Sequence, residues 1–391
     1  MEIVLAGAVR TPIGKFDGSL AGISAADLGA LVIKEALHRA GVPFEAVDEV
    51  IMGCVIQAGA KQNVARQAMI HAGLPVKTSA ITINVACGSG LKAVNMAAAE
   101  IMSGNAEIIV AGGTENMSQI PYALEKARFG YRMGNNEIHD LMMRDGLLDP
   151  FEGYHMGITA ENLAEKYEIT REEQDAFAAS SQQKCEVARK ANKFAEEIVP
   201  VPIVTRKETV MFSEDEYPRD GVTAESLGGM RPAFKKDGTV TAANASGIND
   251  GAAAIVIMSA SAAKRLGVTP MARILGSTWA GVEPSIMGIG PVASTERLFA
   301  KTGLSMDDMD LIEANEAFAA QALSVGKGLQ WDAEKVNVNG GAIALGHPVG
   351  ASGCRILVTL LHELKRRGGG KGLATLCVGG GMGVSTIVEM L

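Results

Sequence analysis

A chain of 391 residues with 47% hydrophobic content carries enough apolar surface for two or more packed domains, which excludes disorder as its resting state. A formal net charge of −8 leaves no basic excess to displace phosphate counterions, so nucleic acid is not its main partner, although a local basic pocket for an anion is compatible with it. Five cysteines (Cys54, Cys87, Cys185, Cys354 and Cys377) make an odd set without C-x-x-C spacing, which argues against a disulfide framework or a thiolate metal site and fits a reducing compartment.

Glu2 to Val9 reads as a buried strand, followed by a helix from Ser24-Ala25-Ala26-Asp27 to His38 that stops at Gly41-Val42-Pro43. The opening stretch lacks the basic-then-apolar plan of a signal peptide. Val47 to Val55 is a second strand and Asn63 to His71 a second short helix. After a strand at Ile81 to Val85 and the helix beyond it, Glu107-Ile-Ile-Val-Ala-Gly-Gly-Thr forms another strand. Strands alternating with helices predict a mainly parallel sheet covered on both faces. From about 119 to 248 the pattern becomes polar and irregular, an inserted region with a helical stretch from Thr170 to Lys193. Gly251 to Ala263 is the longest uncharged apolar run, too short to span a bilayer. Alternation resumes at Arg273, with strands at Ile274 to Thr278, Asp310 to Glu313, Leu373 to Val378 and Ser385 to Glu389, and helices near Ser294 and after Asn315 and Gly350. These boundaries divide the chain into domains at 1–268, holding the insertion, and 269–391. Asn84 to Gly113 and Asn337 to Gly380 each run strand, Gly/Ser turn, amphipathic helix, strand, which suggests an internal duplication.

Chemistry concentrates at four turns. Ile81, Ile83 and Val85 alternate as in a strand, and beyond Cys87-Gly88-Ser89-Gly90 the apolar positions Leu91, Val94, Ala98 and Ile101 follow helical spacing. Cys87 therefore falls at a strand-to-helix turn, where unpaired amides favour thiolate. His347, between Gly346 and Pro348, sits on a stiff loop, unlike His38, His71, His139 and His362, which read as ordinary helix or surface residues. Asn315 lies in ANEAF, and Cys377 ends a strand before a glycine run, a setting equally compatible with a core cysteine and a reactive thiol. Two thiols and one imidazole suit a reaction with two proton movements, one arming a nucleophile and one taking a proton from carbon. No Walker motif, HExxH or dinucleotide-binding glycine pattern is present.

Taken together, NVACGSGLKAV, EIIVAGGTENMS, YHMG, NASGINDGAAA, ANEAFA, NVNGGAIALGHPVGASG and LCVGGGMG resemble the thiolase family, and its short-chain acetyltransferase branch in particular. The match keeps the family's order from Arg10-Thr11-Pro12 to the C-terminus. The resemblance implies a five-layered α-β-α-β-α fold built from two duplicated halves with an inserted loop region. It implies condensation of two acetyl-CoA to acetoacetyl-CoA and CoA, and the reverse thiolysis, with CoA thioesters as substrates and no separate cofactor. Cys87 would be the nucleophile, His347 its activator and Cys377 the base that removes an α-proton. Asn315 would hold a water beside His347 at one oxyanion site, and the amides of Cys87 and Gly379 would form the other. Further contacts carried over by the same match are Arg219 and Ser246 to CoA, Phe234, Ala242 and Phe318 along its tunnel, and His155 and Met156 closing a short acyl pocket. ARFGYRMGN resembles the loop through which the family's short-chain members form tetramers. A homotetramer in the cytoplasm, apart from membranes, is expected. A broader-chain 3-ketoacyl-CoA thiolase is the nearest alternative within the family. Ketoacyl synthases and hydroxymethylglutaryl-CoA synthases lack the second cysteine, and a non-catalytic CoA-binding scaffold would not need all four polar groups.

Overall fold

The computed structural model describes residues 1–391. Nine strands, β1 (Ile3–Arg10), β2 (Glu49–Gly53), β3 (Ser79–Ile83), β4 (Ile108–Asn116), β5 (Asn249–Ser259), β6 (Ala272–Gly281), β7 (Leu311–Ala314), β8 (Lys371–Val378) and β9 (Met382–Met390), pair in the order β7-β8-β9-β6-β1-β5-β4-β2-β3. The two-residue strand Gly14–Lys15 adds to β5.

Two halves follow one plan. In the first, β2 runs parallel to β3 and β4, and β4, β5 and β1 are successively antiparallel. In the second, β7 runs parallel to β8, and β8, β9 and β6 are successively antiparallel. Val336 bridges Ile312 in parallel, taking the place beside β7 that β3 takes beside β2. The halves are joined through β1 and β6 at only Val4↔Arg273 and Leu5↔Ala272. The duplication expected from the sequence is therefore present in the hydrogen-bond pattern itself, whereas the mainly parallel sheet expected is not. Five of the eight pairings along this path are antiparallel and three parallel, because β5, β1, β6 and β9 enter without helical crossovers between parallel neighbours.

Strand alternation sorts side chains into separate cores. Ile108 and Val110 of β4 pack outward under the helices Ala25–Ala40 and Val64–Ala72, whereas Ile109 and Ala111 face the helices Ser89–Met102 and Val349–Arg366. That second pair forms the middle layer, against strands of both halves: Leu91, Val94 and Ile101 of one helix and Ile356, Leu357 and Leu360 of the other share a core with Ile255 and Leu376. The helix Gly290–Thr302 covers the far side of the second half, where Leu298 meets Ile312, Leu373 and Ile387. The result is the five-layered α-β-α-β-α arrangement.

Backbone contact holds the middle layer together. A Cβ on Gly90 would fall 2.7 Å from the Cys354 amide nitrogen, and one on Gly353 would fall 2.4 Å from that of Leu91, so only glycine permits this crossing. It draws the N-termini of both central helices, and the turns before them, to one place.

The inserted region contributes the helices Met156–Lys166 and Arg171–Lys190, the latter opened by a Thr170/Glu173 capping box. It also holds two short ribbons, Tyr122–Ala123 with His139–Asp140 and Val201–Val204 with Thr209–Phe212. No helix is long and apolar enough to cross a membrane.

Candidate active site

Cys87 precedes the helix Ser89–Met102 at a sharp turn in which Ala86 has φ 39°. Ser89 builds that turn: its Oγ accepts from the Val85 amide at 2.8 Å and donates to the Ala86 carbonyl at 2.7 Å. A Cβ on Gly88 would press within 2.7 Å of Val378, so the turn lies directly against the end of β8. The amides of Gly379 and of Cys87 itself point at the Cys87 sulfur. Burial nevertheless pushes the thiol up to about 11, the two amides opposing it and the charge of Glu115 adding to it. This corrects the thiolate expected from the helix start: desolvation outweighs the donors, and the resting group is a neutral thiol.

His347 lies between the second half's glycine turns, with its amide donating to Asn249 Oδ1 at 2.9 Å. Its Nδ1 is 2.6 Å from Ser352 Oγ, and that hydroxyl spends its proton on the Pro348 carbonyl at 2.9 Å. Ser352 must therefore accept from Nδ1–H, which leaves Nε2 as the bare, proton-accepting nitrogen. Asn315 Nδ2 is 3.5 Å from Nε2. Burial, with the nearby Arg355 charge, lowers the His347 pKa to about 3, so the ring is neutral. Asn315 follows β7 directly, and its Oδ1 is buried without a protein partner, as suits a residue that holds a water.

Cys377, paired with Gly383 across the β8–β9 hairpin, is fully buried. Burial raises its thiol pKa strongly, and charge on Cys87 raises it further, which places the two sulfurs in electrostatic reach.

A cavity of about 610 Å³ opens onto these groups and is lined by Cys87, His347 and Gly379, with Asn315 and Cys377 behind its wall. His155, Met156, Phe234, Ala242, Ser246 and Phe318, all anticipated, line it as well. His155 caps the helix Met156–Lys166, its Nδ1 accepting from the Gly157 amide at 2.9 Å, and stacks on Phe234 at 4.5 Å. Phe234 in turn meets Phe318 edge-on at 6.0 Å. The Met156 methyl sits 3.3 Å from where a Cβ on Gly379 would be, and Ala86 lies on the same side, so Met156 closes the end of the cavity nearest the sulfur.

Arg219 is the exception. Its side chain is exposed outside the cavity wall, which is reached instead by Tyr217, packed against Gly247. The sequence reading also passed over Ser352, five residues after His347 in GHPVGAS, and Arg144, Asp145 and Met287 in the wall. The spacing of Ser352 was the one available signal, since it puts a hydroxyl on the first turn of the helix that His347 precedes.

Such an arrangement can form and resolve a thioester on Cys87 while moving a second proton, which is the chemistry of thiol-dependent acyltransferases. The chain belongs to the thiolase family: residues 3–261 match the thiolase N-terminal domain and residues 268–390 the thiolase C-terminal domain. It is 60% identical over 389 residues to an acetyl-CoA acetyltransferase of Cupriavidus necator, covering 99% of each chain. It is 59% identical over 389 residues to one of Escherichia coli, again with 99% of each covered. The crystal structure of the Bacillus anthracis acetyl-CoA acetyltransferase superposes with a TM-score of 0.98 at 50% identity, covering 100% of this chain and 99% of that one.

Proposed function

We propose that the chain is an acetyl-CoA C-acetyltransferase that joins two acetyl-CoA into acetoacetyl-CoA and CoA, and runs the reverse thiolysis. The observation that carries this reading is the meeting, at one cavity, of a thiol under two amides with a neutral imidazole whose Nε2 is free.

His347 Nε2 takes the Cys87 proton as sulfur attacks the first thioester, because neither group is charged beforehand. The Cys87 and Gly379 amides receive the oxyanion, and CoA leaves with the proton of Cys377, which makes Cys377 the thiolate base and leaves the Cys87 proton on His347 Nε2 as a donor for the next step. Cys377 then removes an α-proton from the second acetyl-CoA. The enolate oxygen is held by His347 and an Asn315-bound water, and the enolate carbon attacks acetyl-Cys87. Fixed donors at that oxygen supply several kcal/mol, which a thiolate base acting on a weakly acidic α-carbon needs.

Met156, packed against Gly379 beside Cys87, supports a short acyl pocket. Phe129 and Met133, 88% and 90% exposed in ARFGYRMGN, support assembly through this loop into a tetramer, and the reading includes a cytoplasmic location.

The test is thiolysis of acetoacetyl-CoA by CoA beside a 3-ketohexanoyl thioester, followed by loss of enolate absorbance. Rapid turnover restricted to the four-carbon substrate is expected. Equal or faster turnover of the longer chain would instead favour a β-oxidation type of thiolase.

A further inference from the structure

Glu115, near the end of β4, is only 1% exposed and has no cationic side chain within hydrogen-bonding distance. Its carboxylate accepts instead from three backbone amides: Val55 at 2.9 Å, Ile56 at 3.2 Å and Gly350 at 2.9 Å. The Cys54 thiol approaches at 3.7 Å. The first two amides belong to the loop after β2, in the first half; the third is on the opening turn of the helix Val349–Arg366, in the second half. The amides of a helix's first turn have no internal acceptors, so Glu115 caps in trans the helix that His347 leads into. The fit is close, because a Cβ on Gly350 would stand 2.5 Å from the carboxylate and one on Gly113 would stand 1.9 Å from the Gly350 carbonyl. Both anchored segments reach the cavity, through Val55 and Val349.

We propose that Glu115 is a positioning residue for acyl transfer, holding the His347 segment in register with the Val55 loop and the Cys87 turn across the junction of the two halves. The inference rests on the acyl-transfer reading given above. Glu115 does not touch the reacting atoms, and its effect is transmitted through Gly350 and through its charge. The titratable groups facing it are the Cys54 and Cys87 thiols; burial raises its own carboxyl to about 7 against the pull of the three amides, and once ionised its charge adds to the rise that burial gives the Cys87 thiol. The carboxyl thus aligns the base, and its charge adds to the burial that keeps the nucleophile protonated at rest.

The two effects separate experimentally. In Glu115→Gln one acceptor oxygen and the charge are lost. Thiolysis kcat should fall by about a hundredfold, as for a misalignment on the order of 1 Å, while KM for CoA changes less than about threefold. At the same time the pH midpoint for iodoacetamide alkylation of Cys87 should move down. Glu115→Asp keeps the charge but shortens the reach, so kcat should drop at least about tenfold with that midpoint unmoved. A merely structural role would lower the melting temperature and leave the midpoint in place in both variants. Wild-type kcat in Glu115→Asp, or an unshifted midpoint in a folded Glu115→Gln, overturns the proposal. If Glu115→Gln does not fold, the kcat of Glu115→Asp decides alone. An inactive wild-type protein would instead defeat the acyl-transfer reading.

Discussion

Ser352→Ala tests the assignment of His347 as the base that arms Cys87. In the structure Ser352 Oγ is buried, 2.6 Å from Nδ1, and its own proton is engaged by the Pro348 carbonyl, so the hydroxyl acts as an acceptor that stabilises the Nδ1–H tautomer. Alanine removes the only hydrogen-bond partner of Nδ1. A buried N–H left without an acceptor costs about 1–3 kcal/mol, and the ring can avoid that cost by shifting its proton to Nε2. The shifted tautomer cannot accept from Cys87, so the same energy appears in the rate as roughly a 5- to 150-fold loss. The step to follow is acetylation of Cys87 by acetyl-CoA in a single turnover, read by intact mass. It should slow by that factor, with acetyl-CoA affinity unchanged because Ser352 does not line the cavity. Acetylation at the wild-type rate would refute the tautomer argument and with it the role of Nε2.

Three further outcomes are expected. Cys377→Ala should abolish condensation while Cys87 still becomes acetylated, and condensation by this variant would remove Cys377 from proton abstraction. Met156→Ala should open the cavity beside Gly379 and raise the preference for 3-ketohexanoyl over acetoacetyl substrate by about tenfold, the order expected for one or two methylenes of pocket space; an unchanged ratio would place the chain-length limit elsewhere. His347 is held neutral in the fold, with its pKa depressed to about 3 from an ordinary 6.5. Between those values the unfolded chain binds the extra proton, so stability falls as pH drops. The loss from this residue is about 2 kcal/mol between pH 7 and pH 5. Urea unfolding of wild type and His347→Asn at both pH values should differ by that amount, and equal pH dependence would contradict a buried neutral ring.

Local pattern carried much of this molecule. The change of period around Cys87 placed the nucleophile at a strand-to-helix turn, where the structure has it, and the two matching units became two halves with the same strand order. The run across β5 was harder to read. Its 11 residues are buried on both faces, so they show no alternation and stand out in the sequence only as an apolar run. The ionisation of Cys87 was misjudged because helix starts are visible in sequence whereas desolvation depends on what the fold packs over a group. Glu115 was overlooked for a similar reason: its amide partners are about 60 and 235 residues away in the chain, and no local rule brings them together. Arg219 is a motif position whose backbone amide is held by Gln182 and whose side chain is exposed outside the cavity.

The division of the site between two halves has a consequence for the chain as it is made. Synthesis delivers the nucleophile's half first. Until β8 and β9 emerge, Cys87 has neither its imidazole partner nor the Gly379 amide, and these come from the last 45 residues of the chain. A ribosome-bound chain would therefore meet the cell's acyl thioesters without the base and the second oxyanion donor that acyl transfer needs, and turnover would begin only when the final hairpin closes, so the order of the segments acts as a safety catch.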